Sequence, residues 1–314
     1  MNSILVTRKL PSTVLSKLEA VGDVDLYAGD VAMPHDELRS RIVGKRAVVT
    51  MITEQIDKGV LDVATDLEIV ANVAVGCNNV DLASARSRGV IVTNTPDVLT
   101  DSVADFTWAL ILGITRRLAE GDRLIRRNGW KGWAFDFMLG TELRGKQLGL
   151  VGYGRIARAV AARASAFGVR VVCSSRRDAE HSTAGQLSFD RLLNTSDIVS
   201  LHVPLTPETK HLIDKKALTR MKRSAYLINT SRGPVVDEEA LAWALEHRLL
   251  AGAALDVYER EPEVHPALLN LENVLLVPHL GSGTVETRTA MADLAVDNVV
   301  AVLSGKPPLT PVKA

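Results

Sequence analysis

At 314 residues, with 46% hydrophobic and 24% charged side chains, the chain has the composition of one large or two ordinary globular domains, which excludes wholesale disorder. Its 37 basic residues balance 37 acidic ones, so nucleic acid is not indicated as a partner. No apolar run reaches the roughly 18–20 residues that cross a bilayer, no signal segment opens the chain, and two cysteines, Cys77 and Cys173, make no disulfide framework, so a cytoplasmic protein with reduced thiols is expected.

Short apolar runs predict strands at Ile4–Val6, Val24–Tyr27, Ala47–Ile52, Leu67–Val75 and Val90–Val92. Helical stretches separate them, with Pro11 opening 11–20 and Pro34 opening 34–43. The first two runs are short, which predicts a modest sheet. One long helix is then expected from Ser102 to about Arg127, followed by an aromatic stretch with Trp130, Trp133, Phe135 and Phe137. Past Gly145 a second series predicts strands at Gln147–Val151, Val169–Cys173, Ile198–Val203, Ala225–Ile228, Gly252–Leu255 and Val274–Val277. These runs are continuously apolar, as in strands covered on both faces. Residues 284–303 read as a final amphipathic helix before a Pro-rich tail. Strands alternating with helices predict an α/β fold with doubly wound parallel sheets.

Residues 145–157 read GKQLGLVGYGRIA, a strand, a glycine turn and a helix beginning at Arg155 and Ile156. Gly152 supplies the turn, Gly154 admits a pyrophosphate close to the backbone, and Ala157 takes the place of the third glycine at the helix–strand contact. The helix start adds free N–H groups and a positive dipole end, so a dinucleotide is expected here. About 20 residues on, an NAD enzyme usually carries an acid for the ribose hydroxyls. This chain has Ser174, Ser175, Arg176 and Arg177 instead. Missing acid and adjacent guanidiniums favour NADPH, with NADH also usable. A solvated loop would carry two arginines equally well.

Three polar residues stand just beyond apolar strands of the second series: Arg232, Glu261 and His279. Ligands of open α/β sheets bind at such carboxyl ends. Taken singly, an ion-pair arginine, a loop carboxylate and a surface histidine would read the same.

The motifs around them resemble the D-isomer-specific 2-hydroxyacid dehydrogenase family. They are LGLVGYG at 148–154, LHVPLTPET at 201–209, NTSRGPVVDE at 229–238, ALDVY at 254–258 with Glu261 and Pro262, and Pro278 with His279. They recur in the family's order along essentially the whole chain. The resemblance implies that Arg232 holds the substrate carboxylate and polarises the keto oxygen. It makes His279 the acid/base, and Glu261 the group that orients it. The N–H groups of Val75 and Gly76 would bind the substrate carboxylate. Thr100, Thr230, Asp256 and Gly281 would meet the nicotinamide half of the cofactor, and Pro204 and Thr209 its adenosine side, with Ser231 and His279 also among the cofactor contacts. No metal is implied.

The resemblance also implies a discontinuous architecture of two Rossmann-like domains. A flavodoxin-like substrate-binding domain would comprise 1–98 and 287–314, with an NAD(P)-binding Rossmann domain, 99–286, inserted. Family members are usually homodimers joined through the cofactor domain and the arm at 128–140; the alternative is that its rings pack within the subunit. Within the family, the arm from Gly129 to Trp133 with Leu139 and Gly140, and the loop from Ser174 to Arg177, are most similar to NADPH-dependent glyoxylate/hydroxypyruvate reductases. The expected partner is a small 2-keto or 2-hydroxy acid. Reductases of 2-ketogluconate-type sugar acids remain an alternative. A phosphite-oxidising branch has lysine where this chain has Val75. A nucleotide-sensing corepressor of the same fold is a reading of another class, and the sequence carries no docking segment for it.

Overall fold

Asn2 to Val6 opens a parallel sheet whose inner strands are buried almost end to end. The computed structural model describes residues 2–176 and 184–312. In chain order the first elements are β1 (Asn2–Val6), α1 (Ser12–Glu19), β2 (Gly22–Leu26), α2 (His35–Arg41), β3 (Ala47–Thr50), α3 (Lys58–Val63), β4 (Ile69–Asn72), α4 (Leu82–Ser87) and β5 (Ile91–Thr93). All five expected strands form, with shifted ends. The first two, expected to be the short ones, are five residues each, longer than the other three.

The chain continues through α5 (Thr100–Thr115), α6 (Leu118–Arg126), β6 (Gln147–Val151), α7 (Arg155–Ala164), β7 (Arg170–Ser174), β8 (Gly185–Gln186), α8 (Phe189–Thr195), β9 (Ile198–Leu201), α9 (Lys215–Arg220), β10 (Tyr226–Asn229), α10 (Glu238–Glu246), β11 (Gly252–Leu255), α11 (Pro266–Leu269), β12 (Val274–Leu276) and α12 (Val285–Leu303). The single helix expected from Ser102 to Arg127 is therefore two. Arg117 takes a left-handed backbone at φ 56° and clamps Glu120 with its guanidinium. The end of α5 is capped by the incoming chain instead, Thr141 N–H donating to Thr115 O at 2.8 Å. Gly140 permits that approach, because an added Cβ would lie 2.5 Å from the Thr115 oxygen.

Two units result, Met1–Leu99 with Thr284–Ala314, and Thr100–Gly283. The first holds a five-stranded sheet ordered β2-β1-β3-β4-β5. Alternate residues feed two cores: Ile4, Val6, Val49 and Ile69 pack with Ala292, Ala295 and Val296 of α12, while Leu5, Val48 and Val70 pack with Leu38, Ile42 and Val60. The second unit holds seven parallel strands ordered β12-β11-β10-β9-β6-β7-β8. The first strand of that unit is internal, so the chain direction across the sheet reverses between β6 and β9, where open sheets of this kind bind ligands. Gly149 lets α8 close on β6, since a Cβ there would meet Leu192 at 2.6 Å. Among the described residues no helix is long and apolar enough to cross a membrane.

Candidate active site

Arg232, Glu261 and His279 follow the carboxyl ends of β10, β11 and β12, which are neighbours in the sheet of the second unit. Buried Asn229, the last residue of β10, shapes the first loop. Its side-chain oxygen accepts the Ser231 N–H at 3.0 Å and the Ser231 hydroxyl at 2.8 Å, and its amide donates to Arg232 O at 3.0 Å. Gly233 then allows this loop to lie directly on the next, because an added Cβ would fall 1.8 Å from the Tyr258 carbonyl carbon. Arg232 donates to Ser231 O at 2.7 Å and contributes to the positive field on Glu261.

Glu261 accepts the Tyr258 N–H on Oε1 at 3.0 Å, and its Oε2 stands 2.9 Å from His279 Nδ1. Burial pushes the Glu261 carboxyl upward. The His279 hydrogen bond and charge, the Tyr258 amide and the Arg232 charge outweigh it and hold the group below its ordinary value. Both side chains of the pair are about one-third exposed (31% and 33%), so substrate and solvent can reach them. His279 itself sits at φ 52° and donates its N–H to Asp256 O at 2.9 Å. With Nδ1 on a carboxylate, Nε2 is the ring nitrogen left to exchange a proton.

Asp256 is 1% exposed, and both its oxygens accept backbone N–H groups, from Leu280 and from Gly281. It thereby fixes the loop that carries His279. Burial raises its carboxyl above the ordinary range, against the pull of those two amides. Ser102 donates to Gly281 O at 2.9 Å, and Thr230 pairs with Thr107 at 3.1 Å, which ties both loops to α5, whose first residue is Thr100.

The glycine turn joins β6 to α7. Gly152 has φ 87°, and an added Cβ would meet His202 O at 2.8 Å, so only glycine fits. Gly154 is the N-cap of α7 with no side-chain cap, and no atom lies within 4 Å of an added Cβ. The open space before uncapped N–H groups fits a dinucleotide pyrophosphate, with Arg155 and Ile156 in the first turn. Ala157 is fully buried at the helix–strand contact.

Ser174 ends β7, and its carbonyl accepts the Gly152 N–H at 2.8 Å. Arg176 is exposed; Arg177 lies outside the described residues. Pro204 and Thr209 share one loop after β9, where the Thr209 hydroxyl donates to Pro204 O at 2.6 Å. In the first unit, Val75 and Gly76 follow β4. Their carbonyls accept from the Asn94 and Asn72 side chains at 2.8 and 2.9 Å, which fixes the peptide planes of that loop. Reading the sequence missed Glu238, Glu259 and His211, which surround the Glu261 loop. Only their presence in or near matching motifs could have drawn attention to them.

The fold and this site define a Rossmann-type oxidoreductase. Residues 108–281 match the D-isomer specific 2-hydroxyacid dehydrogenase, NAD binding domain. The chain is 43% identical over 313 residues to a glyoxylate reductase from Thermococcus litoralis, covering 97% of this chain and 95% of that one. It is similar to a solved protein from Thermus thermophilus, with TM-score 0.95, 44% identity, and 99% and 100% coverage. It also resembles an NADPH-dependent glyoxylate/hydroxypyruvate reductase from Sinorhizobium meliloti solved with NADP and malonate, with TM-score 0.88, 37% identity, and 99% and 96% coverage. The chain belongs to the D-isomer specific 2-hydroxyacid dehydrogenase family. It is a nicotinamide-dependent oxidoreductase of α/β fold, as its sequence led us to expect.

Proposed function

We propose that this enzyme reduces glyoxylate, and hydroxypyruvate beside it, to the corresponding 2-hydroxy acid, the D isomer where the product is chiral, with NADPH preferred over NADH. The observation that carries the reading is the Glu261–His279 pair at 2.9 Å, beside Arg232 on the neighbouring strand end. The glyoxylate reductase relative and the NADP-bound neighbour support the substrate and cofactor class. When bound, the reduced nicotinamide supplies hydride to the keto carbon. As negative charge grows on the keto oxygen, the Arg232 guanidinium stabilises it, and His279 delivers the proton through Nε2. Glu261 holds the imidazole in orientation and favours its charged form.

Gly152, Gly154, Arg155 and Ile156 are assigned to the pyrophosphate. Ser174, Arg176 and Arg177 are assigned to a ribose 2′-phosphate, Pro204 and Thr209 to the adenosine side, Thr100, Thr230, Asp256 and Gly281 to the nicotinamide half, and Ser231 and His279 to the cofactor without a half specified. In the first unit, the Val75 and Gly76 amides are assigned to the substrate carboxylate. We accordingly read 1–98 with 287–314 as the substrate-binding domain and 99–286 as the cofactor domain. Steady-state rates with a panel of 2-keto acids and both cofactors test the proposal. Saturable NADPH oxidation with glyoxylate is expected, and a preference for 2-ketogluconate or no turnover would overturn it.

We also read the chain as a cytoplasmic homodimer. Trp133 and Phe135 are 81% and 85% exposed in the arm after α6, a site that water disfavours unless a partner covers it. Light scattering should give twice the 33.9 kDa chain mass, and a Trp133→Ser, Phe135→Ser variant should give less. A wild-type monomer would contradict this.

A further inference from the structure

Glu238 opens α10, where a buried carboxylate is unusual, and it is 4% exposed. Asp237 already caps that helix by accepting the Ala240 N–H at 2.9 Å, so Glu238 has no capping duty. Its Oε1 instead accepts the Glu259 N–H at 2.8 Å, and the His265 amide adds to the favourable field on the same carboxylate. Those two amides flank Glu261 in the chain. One buried side chain therefore ties down the start of the loop that carries the partner of His279. A second tie reaches the loop from outside: His211 Nε2 bonds the Glu259 carboxylate, while the His211 backbone N–H donates to Pro234 O at 2.8 Å, two residues past Arg232. Holding this tie, His211 sits in the left-handed region at φ 51°.

We propose that Glu238 is a positioning residue for the reaction, with the His211–Glu259 pair as its outer tether, and that together they set where Glu261 presents its carboxylate to His279. The inference rests on the Glu261–His279 reading above. A loose loop would let Glu261 swing away, and a displacement of about 1 Å at a catalytic group can cost up to about a hundredfold in rate. Burial pushes the Glu238 carboxyl upward while the Glu259 and His265 amides pull it down, as expected of a side chain kept there for its acceptor geometry.

The test compares Glu238→Ala, Glu238→Gln, Glu259→Ala, Glu261→Gln and the Glu238→Ala, Glu261→Gln double variant, measuring glyoxylate reduction with NADPH across pH. Glu238→Ala should lower kcat about tenfold and move the alkaline limb of kcat/KM to lower pH, as Glu261→Gln does, with KM for cofactor little changed. Glu238→Gln, whose side-chain carbonyl still accepts an N–H, should recover most of the loss. The double variant should be no slower than Glu261→Gln alone, because the two act through one group. If Glu238→Ala does not fold, Glu259→Ala, which cuts only the outer tether at a partly exposed side chain, should show the same pH shift with a smaller loss. Independent, multiplying losses in the double variant, or unshifted pH limbs in both Glu238→Ala and Glu259→Ala, would overturn the proposal while leaving the dyad intact. A silent Glu261→Gln would bring down the dyad reading, and this one with it.

Discussion

Glu261 Oε2 and His279 Nδ1 lie 2.9 Å apart, although 18 residues separate them and they follow different strands. The pair works only if the loops after β11 and β12 keep their register. Asp256 fixes the second of these through the Leu280 and Gly281 amides, and the Tyr258 N–H holds Glu261 itself.

The first prediction follows from that charge pair. Against the upward push of burial, Glu261 is held below its ordinary value chiefly by His279, so it is charged in the working range, and its charge favours a protonated imidazole. Glu261→Gln removes the charge and keeps the shape. The alkaline limb of kcat/KM for reduction should move to lower pH, since the proton donor is lost sooner as pH rises. An unchanged profile would show that the pair does not serve the proton transfer.

Gly233 offers a test of how tightly the loops are stacked. Its added Cβ would lie 1.8 and 1.9 Å from Tyr258 backbone atoms, which no rotamer change can relieve. Gly233→Ala should destabilise the fold by about 2–3 kcal/mol in chemical denaturation, with kcat falling as the Glu261 loop shifts. A loss under about 0.5 kcal/mol would mean the two loops are loosely apposed.

His202 gives a pH dependence of stability. It sits beneath the glycine turn with Ser200 Oγ at 2.9 Å from Nε2, and burial pushes its pKa down to about 4. The folded value lies below the unfolded one of about 6.5, so the unfolded chain binds the proton more readily. The neutral side chain's contribution is fully present above about pH 6.5 and is lost as pH falls toward about 4, at up to about 1.4 kcal/mol per pH unit. Between pH 7 and pH 5, His202→Gln should therefore lose about 2 kcal/mol less stability than wild type. Parallel losses in the two proteins would contradict this.

Cofactor choice is the fourth prediction. Ser174 ends β7 where a ribose-binding acid usually stands, and exposed Arg176 follows. A partly screened guanidinium should favour NADPH by about one to two orders of magnitude in kcat/KM, shrinking with salt. Ser174→Asp with Arg176→Ala should reverse the preference mainly through KM for the cofactor. Equal use of NADH and NADPH by the native enzyme at low ionic strength would refute it.

Most strands were legible because they are built around short apolar runs, and Arg232, Glu261 and His279 because each follows such a run and sits in a family motif. Elsewhere the sequence was silent for physical reasons. The break between α5 and α6 falls at Arg117, a residue type with no turn preference, and is imposed by Gly140 and Thr141 arriving from a distant part of the chain. β8 spans only Gly185 and Gln186, too short for any periodicity. His211 and Glu259 are 48 residues apart, and Glu238 and Glu259 are 21 apart, so their meeting depends on how three loops stack.

The most direct test of the proton's source is the turnover of His279→Gln. With glyoxylate and NADPH saturating, kcat should fall by at least about 10²-fold, the scale of losing general acid catalysis, while cofactor affinity measured by fluorescence barely changes. A His279→Gln enzyme with near-normal kcat would contradict the assignment of the proton to His279 and the reading of the site built on it.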